Sequence, residues 1–419
     1  MRLQLFLAAA FAATTTYASA ADLTQVSPGY VYFHRAGATL AEHDAAVRDC
    51  SVEAHKAQQP DTPAAGGGGL LGALVVGIVK GVMDGIAERR GVAANIENCM
   101  VVRGWEVRRL TVADGSIAAL PQPGQAEKLA PLVGSVPAVG EVSRAYANDA
   151  QSGDTTMFTP SGDIDKLSLS LTALAPIPKG QEPATGPIQN PVKMAKTARP
   201  PKPLKPEQLA AVPADSALVV VRLTGGQLQG GEMLTFWRAG PDPRTPAFID
   251  GQPAAFVASL PLKMFAGKDQ AYDVTAVYAL PPGQWRLGSA QRGLFVASFC
   301  LGQPEFTVGK GETVFAGSFA LGAPKIGPEL NLEPAKTALA ALPDRVAALK
   351  PASYVNGATG ECGGAYIYAL EVPDAPFVEG YRQGSAFKAQ TIAAEAKPAE
   401  TTAASTTAPV ESAAAGTAH

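Results

Sequence analysis

Histidine is scarce in this chain, and the common catalytic spacings are missing. His34, His43, His55 and His419 are the only histidines among 419 residues, and no HExxH, GxSxG or CxxC occurs. These gaps remove the helical zinc-hydrolase pattern, the nucleophile elbow and the thioredoxin-like dithiol. An excess of positive charge is missing too. Lys and Arg number 34 against 37 Asp and Glu, a net charge of -3 with pI near 5.9. A general nucleic-acid binder would carry a basic domain, so no nucleic-acid partner is expected. No cysteine precedes Cys50, which argues against a lipidated N-terminal cysteine.

The motifs that do occur stand without their contexts. Gly67-Gly68-Gly69-Leu70-Leu71-Gly72 matches GxGxxG, but Pro60, Pro63 and Ala64-Ala65 precede it where a dinucleotide fold needs a strand. Gly309-Lys310-Gly311 lacks the upstream glycine and downstream hydroxyl of a P-loop. His43, Cys50 and His55 sit near one helix, with position 55 displaced from the Cys50 face, so a shared metal site needs help from elsewhere. Asp163 and Asp165 have no nameable acid or base partner. Trp237 and Trp285 could line a sugar-binding face, but packing in a core or rim is the favoured role. No catalytic residue, metal site or cofactor is therefore expected, and the chain reads as a non-enzyme.

What is present begins with an export signal. Arg2 gives a positive start, Leu3 to Ala13 an apolar core too short to span a bilayer, and Ala18-Ser19-Ala20 a small-x-small cleavage site, so residues 1–20 read as a signal peptide. Export takes Cys50, Cys99, Cys300 and Cys362 into an oxidising compartment. Four cysteines allow three connectivities. Two fall in each half of the chain, which favours Cys50–Cys99 and Cys300–Cys362 over four buried thiols.

The strongest pattern is a ladder of small residues. Gly69, Ala73, Gly77, Gly81 and Gly85 recur every fourth position in GLLGALVVGIVKGVMDG. Residues four apart share one helix face, and a ridge without side chains admits another helix at backbone distance. As a helix, residues 69–87 would span about 28 Å, close to a bilayer core. The large apolar residues favour insertion by about 3–6 kcal/mol, while Lys80 and Asp84 oppose it by about 5–7 kcal/mol before pairing. Self-association, or docking of 66–90 on a membrane or envelope partner, fits these opposed terms better than solitary spanning. A helical hairpin packed through its glycine face against the Cys50 helix is the alternative.

Around the ladder, residues 21–110 form a first unit. Tyr30 to Phe33 is β-prone, Thr39-Leu40-Ala41-Glu42 has capping-box spacing, and a shorter helix is expected over Ala93 to Val102, ended by Gly104. Residues 111–216 read as mostly irregular, with a short helix near Ala126–Val133 and a strand near Leu167–Leu171. Within them Pro176 to Pro213 is a Pro- and Lys-rich semi-rigid spacer, expected to be cut first by protease and to release a folded fragment from near residue 214. Residues 217–383 read as a β-sandwich. Its strands are Ala217–Leu223, Met233–Arg238, Tyr272–Leu280, Gln284–Ser289, Leu294–Cys300, Glu305–Val308 and Thr313–Leu321. One helix bears Leu339, Leu342, Val346 and Leu349, kinked or divided at Pro343. Residues 384–419 read as a disordered Ala- and Thr-rich tail.

Two stretches resemble known families. Arg35-Ala36-Gly37-Ala38-Thr39 with Asp49-Cys50, and Cys99-Met100-Val101-Val102-Arg103-Gly104-Trp105, resemble a small uncharacterised envelope domain of Gram-negative bacteria. There a PGAT-like turn opens a helix with the first cysteine and C-M-x-x-[RK]-G-W carries the second; Ala36 stands here in place of the proline. The ladder between the cysteines resembles glycine-zipper segments of outer-membrane and periplasmic proteins. Leu280-Pro281-Pro282-Gly283-Gln284-Trp285 and Gly311-Glu312-Thr313-Val314-Phe315-Ala316-Gly317 resemble prealbumin-like β-sandwich domains of exported bacterial proteins. Neither resemblance implies an activity.

The expected protein is thus multidomain: a disulfide-tied helical glycine-zipper module and an all-β sandwich with one added helix, in the periplasm or at the outer membrane. Its expected role is structural, through helix association with itself, a membrane or an envelope partner. The alternative is a binding module whose sandwich recognises a glycan or protein.

Overall fold

The computed structural model describes residues 31–58, 85–110, 122–146, 199–225, 232–240, 247, 249, 251–260, 272–292, 295–321, 326–360, 362 and 366–387. The described residues are mostly β-sheet with a few helices. The signal sequence, the GxGxxG match, Asp163, Asp165 and the Leu167–Leu171 strand lie outside them.

The chain opens with β1 (Val31–His34) and α1 (Leu40–Gln58). Thr39 and Glu42 start α1 as a capping box: the Glu42 N–H donates to Thr39 Oγ1 at 3.2 Å and the Thr39 N–H to Glu42 Oε2 at 2.8 Å. That exchange also holds the Glu42 carboxyl below its ordinary pKa, through the Thr39 backbone first. His43, Val47, Cys50, Ala54 and Ala57 form the buried stripe of α1.

Helix α2 (Gly85–Val102) is longer than the Ala93–Val102 segment expected. Its residues from Gly91 to Val102 are buried on every side, because α1, a following strand β2 (Glu106–Arg109) and a late strand described below all pack on it. Gly104 ends it at φ +85°, with the Gly104 N–H reaching Val101 O at 3.0 Å and the Trp105 N–H reaching Met100 O at 3.1 Å. This is a Schellman cap, which accounts for glycine followed by a buried tryptophan in the CMxxRGW segment.

Residues 122–146 supply α3 (Gln122–Val133), where a short helix is expected near Ala126–Val133, and β3 (Glu141–Arg144), which is not expected. β3 completes an antiparallel sheet in the order β1-β2-β3. Composition hid this strand because only Arg144 of its four residues is buried.

The remainder builds two further sheets. After α4 (Pro206–Leu209) come β4 (Ala217–Gly225), β5 (Met233–Arg238), β6 (Ala255–Ser259), β7 (Tyr272–Leu280), β8 (Gly283–Arg292), β9 (Phe295–Val308) and β10 (Thr313–Ala320). Then come α5 (Glu333–Ala338), α6 (Pro343–Ala347), β11 (Leu349–Pro351), β12 (Val355–Ala358) and β13 (Tyr366–Ala369). One sheet runs β11-β10-β4-β7; the other runs β12-β9-β8-β5-β6, with β13 added parallel to β9. Phe236, Phe256, Trp285, Phe306 and Phe319 fill the layer between them.

Alternation along β4 places Ala217, Val219, Val221 and Leu223 in that layer and Leu218 and Val220 in a second cluster with Phe315, Ala335 and Leu339. Both faces of the strand are covered, so it reads as an unbroken apolar run. The expected helix is divided at Pro343, which fits the first turn of α6 but not a helix interior, while Leu349, placed on that helix, belongs instead to β11. Two expected strands merge into β9 across Pro304, which falls where the β8–β9 register shifts. The Pro-rich stretch does not stand apart throughout: the Leu204 N–H donates to Val277 O at 2.7 Å, and Leu204 packs on the second cluster.

Candidate functional site

Two disulfides join the cysteines in the pairs expected. Cys50 of α1 bonds Cys99 of α2, with Cα atoms 5.5 Å apart; Cys300 of β9 bonds Cys362, ahead of β13, at 5.0 Å. Beside the first bond the Arg103 Nη1 donates to Asp49 Oδ2 at 3.3 Å, so Asp49-Cys50 and Cys99…Arg103 are joined twice. Gly69, Ala73, Gly77 and Gly81 lie outside the described residues. Gly85 is the first residue of α2. The ladder segment therefore leaves from Gln58 of one helix and returns at Gly85 of another that is covalently bound to it.

Helix α2 is seated on the edge of β13 by polar contacts. The Ile367 N–H donates to Asn95 Oδ1 at 2.9 Å, so a helix side chain takes the place of a neighbouring strand. Glu97, wholly buried, pairs with Arg144 of β3 at 2.6 Å. The Arg144 guanidinium lies 5.8 Å from the Tyr368 ring centre. Burial works against the charge on Arg144, but Tyr368 and Glu97 outweigh it and its pKa is raised. A buried pair of this kind adds little net stability, yet removing one partner costs about 3–5 kcal/mol. Sequence reasoning passed over Asn95, Glu97 and Arg144. The signal was AANIENCMVV: three polar side chains in a segment too apolar for a solvated face.

The other candidate residues are not brought together. His43 is buried between Phe33 and Trp105, with Nδ1 2.9 Å from Asp44 Oδ1. His55 Nδ1 lies 2.7 Å from Ser51 O, and His34 Nε2 3.0 Å from Ser135 O. Among the described residues no group of three His, Cys, Asp or Glu could hold a metal ion. Trp285 is fully buried against Phe256, and Trp237 lies across Gly288, where a Cβ would strike its ring.

A cavity of about 320 Å³ opens where β9 and β12 meet β10 and β11, lined by Gln284, Glu305, Thr307, Glu312, Lys350 and Ser353 among others. Glu305 accepts from Gln284 Nε2 at 2.6 Å and Arg286 Nε at 2.9 Å. Glu312 accepts from Lys350 Nζ and the Gly309 N–H, each at 2.6 Å, and these bonds, Lys350 first, hold its pKa low. Both carboxylates lining the cavity are thus paired with a basic side chain. Comparison with protein-family models, curated proteins and solved structures finds no match to this chain.

Proposed function

We propose that this protein is a non-enzymatic, exported component of a Gram-negative envelope. It acts by helix association through Gly69, Ala73, Gly77, Gly81 and Gly85, with a second copy, an envelope partner or a membrane surface. The observation that carries the reading is the Cys50–Cys99 bond, which ties the helices on either side of the ladder. The bond closes the chain around the ladder, and a closed loop loses less chain entropy on association than an open one. Residues 217–383 form the β-sandwich body that carries the clamp. The two disulfides fit an oxidising compartment such as the periplasm. Among the described residues no helix is long and apolar enough to cross a membrane.

Leucine at Gly81 fills the ridge while making the segment more apolar. Crosslinking, membrane flotation and a thermal melt of wild type and Gly81→Leu test the reading. Weaker crosslinking in the variant is the expected result. Stronger membrane retention with unchanged crosslinking would mean simple partitioning into lipid. A lower melting temperature with no crosslinked species in either protein would mean an internal hairpin. Unchanged crosslinking and unchanged stability together would end the proposal.

A further inference from the structure

The chain after β13 crosses both halves of the molecule. It first runs beside β12: Asn356 Nδ2 donates to Val372 O at 2.8 Å, the Val372 N–H donates to Asn356 Oδ1 at 2.8 Å, and the Val378 N–H reaches Asn356 O at 2.9 Å. It then passes over β9, where the Tyr381 hydroxyl donates to Leu301 O at 3.1 Å and the ring covers Gly302 and Gly357. Its last described residues leave the sandwich and lie on the helical unit. Gly384, at φ +58°, sits where a Cβ would strike Glu371 and crowd Tyr146. The Ser385 N–H donates to Glu371 Oε1 at 2.9 Å. The Phe387 ring lies against Gly104, the cap of α2, where a Cβ would collide with it.

We propose that residues 381–387 are a strap that holds the disulfide-tied helix pair on β13, and that loosening the strap frees that unit locally while the sandwich stays folded. Two features set it apart from ordinary chain packing. Its ends grip different bodies, Leu301, Gly302 and Gly357 on the sheets and Tyr146 and Gly104 on the helical side. Its contacts also fall at Gly104, the cap of α2, and at Tyr146, two residues from Arg144, whose pair with Glu97 accompanies the apolar packing of α2 on β13. Tyr146 links the two sets, because it stacks on Tyr368 with ring centres 6.1 Å apart and lies beside Glu371. Burial, then the Glu371 charge, pushes its phenol well above the ordinary range, so it stays protonated there. Gly104 thus has two roles: its positive φ ends α2, and its bare Cα makes room for the strap.

Hydrogen exchange tests the strap. A chain ending at Gln383 keeps Tyr381 and lacks the contacts to Glu371, Tyr146 and Gly104; a chain ending at Lys388 keeps them all. Amides of residues 91–102 should exchange at least about tenfold faster in the shorter chain, while those of β4, β7 and β10 keep their rates. Phe387→Ala in the full-length protein should give the same pattern, smaller in size. Equal protection of α2 in the two truncated chains would overturn the proposal. So would faster exchange spread evenly over α2 and the sheets, since that marks lost global stability rather than release of one unit.

Discussion

Tyr32, Tyr278, Tyr354 and Tyr381 each donate their hydroxyl to a backbone carbonyl: Val139 at 2.6 Å, Val257 at 3.1 Å, Ala316 at 2.6 Å and Leu301 at 3.1 Å. Only the protonated phenol can donate, and a phenolate in these places would face a carbonyl dipole without water. Burial, the largest cause at each, raises all four pKa values, that of Tyr32 to about 12 even though Arg108 pulls it down. Because the folded values lie above the unfolded value of 10.0, this stabilisation is complete below pH 10 and is lost as pH rises through the folded values. Followed by phenolate absorbance and near-ultraviolet dichroism, exposed tyrosines should ionise first without loss of tertiary signal. The buried group should ionise in a later, steeper step that coincides with unfolding. If all the tyrosines titrate in one shallow curve near pH 10 with the dichroism intact, the buried donor geometry is wrong.

Long strands and capped helices were readable from the chain because their signals are local. Met233–Arg238 and Tyr272–Leu280 have the expected bounds, since β-branched and aromatic runs end at turn residues there. The Thr39–Glu42 box and Gly104 marked a helix start and a helix end for the same reason. Apart from β1, where Tyr30 to Phe33 is β-prone, the short strands were not readable. β11, β12 and β13 are only three or four residues long, and each exists because a longer neighbour, β10 or β9, offers it a ladder. The seat of α2 on β13 was equally hidden, because it joins residues 272 positions apart. The disulfide pairs were legible through the placing of two cysteines in each half, and the first should matter most to α1 and α2. By chain-entropy reasoning, closing a loop of this size stabilises by about 4 kcal/mol. Chemical denaturation of Cys50→Ala/Cys99→Ala should show a loss of that order, less any strain relieved. A loss below about 1 kcal/mol would mean that helix packing alone holds the pair.

At the scale of the molecule, composition predicts two modules with a spacer between them, and protease treatment would then release the sandwich. The packing argues for a different outcome. One hydrophobic cluster extends from Val31 of β1, through Cys99 and Trp105, to Tyr368 of β13 and Val372 beyond it. Across it run the Asn95–Ile367 hydrogen bond and the Glu97–Arg144 pair, and neither can be broken by water at the surface because both are buried. Separating the halves would expose that apolar surface and leave Glu97 or Arg144 in need of new partners. Severing the backbone between the halves removes none of these contacts; it only lets the pieces drift apart at a translational entropy gain of about 4–15 kcal/mol at standard concentration. A full-length protein with a specific protease site inserted between residues 160 and 161 puts the two terms in competition. After complete cleavage the fragments should elute together in native gel filtration at micromolar concentration, and separate only in denaturant. Co-elution should also survive high salt, since the buried pair is screened far less than surface charges. Fragments that part in native buffer would show that the junction is too weak to hold without the chain, and that the helical unit and the sandwich behave as independent bodies.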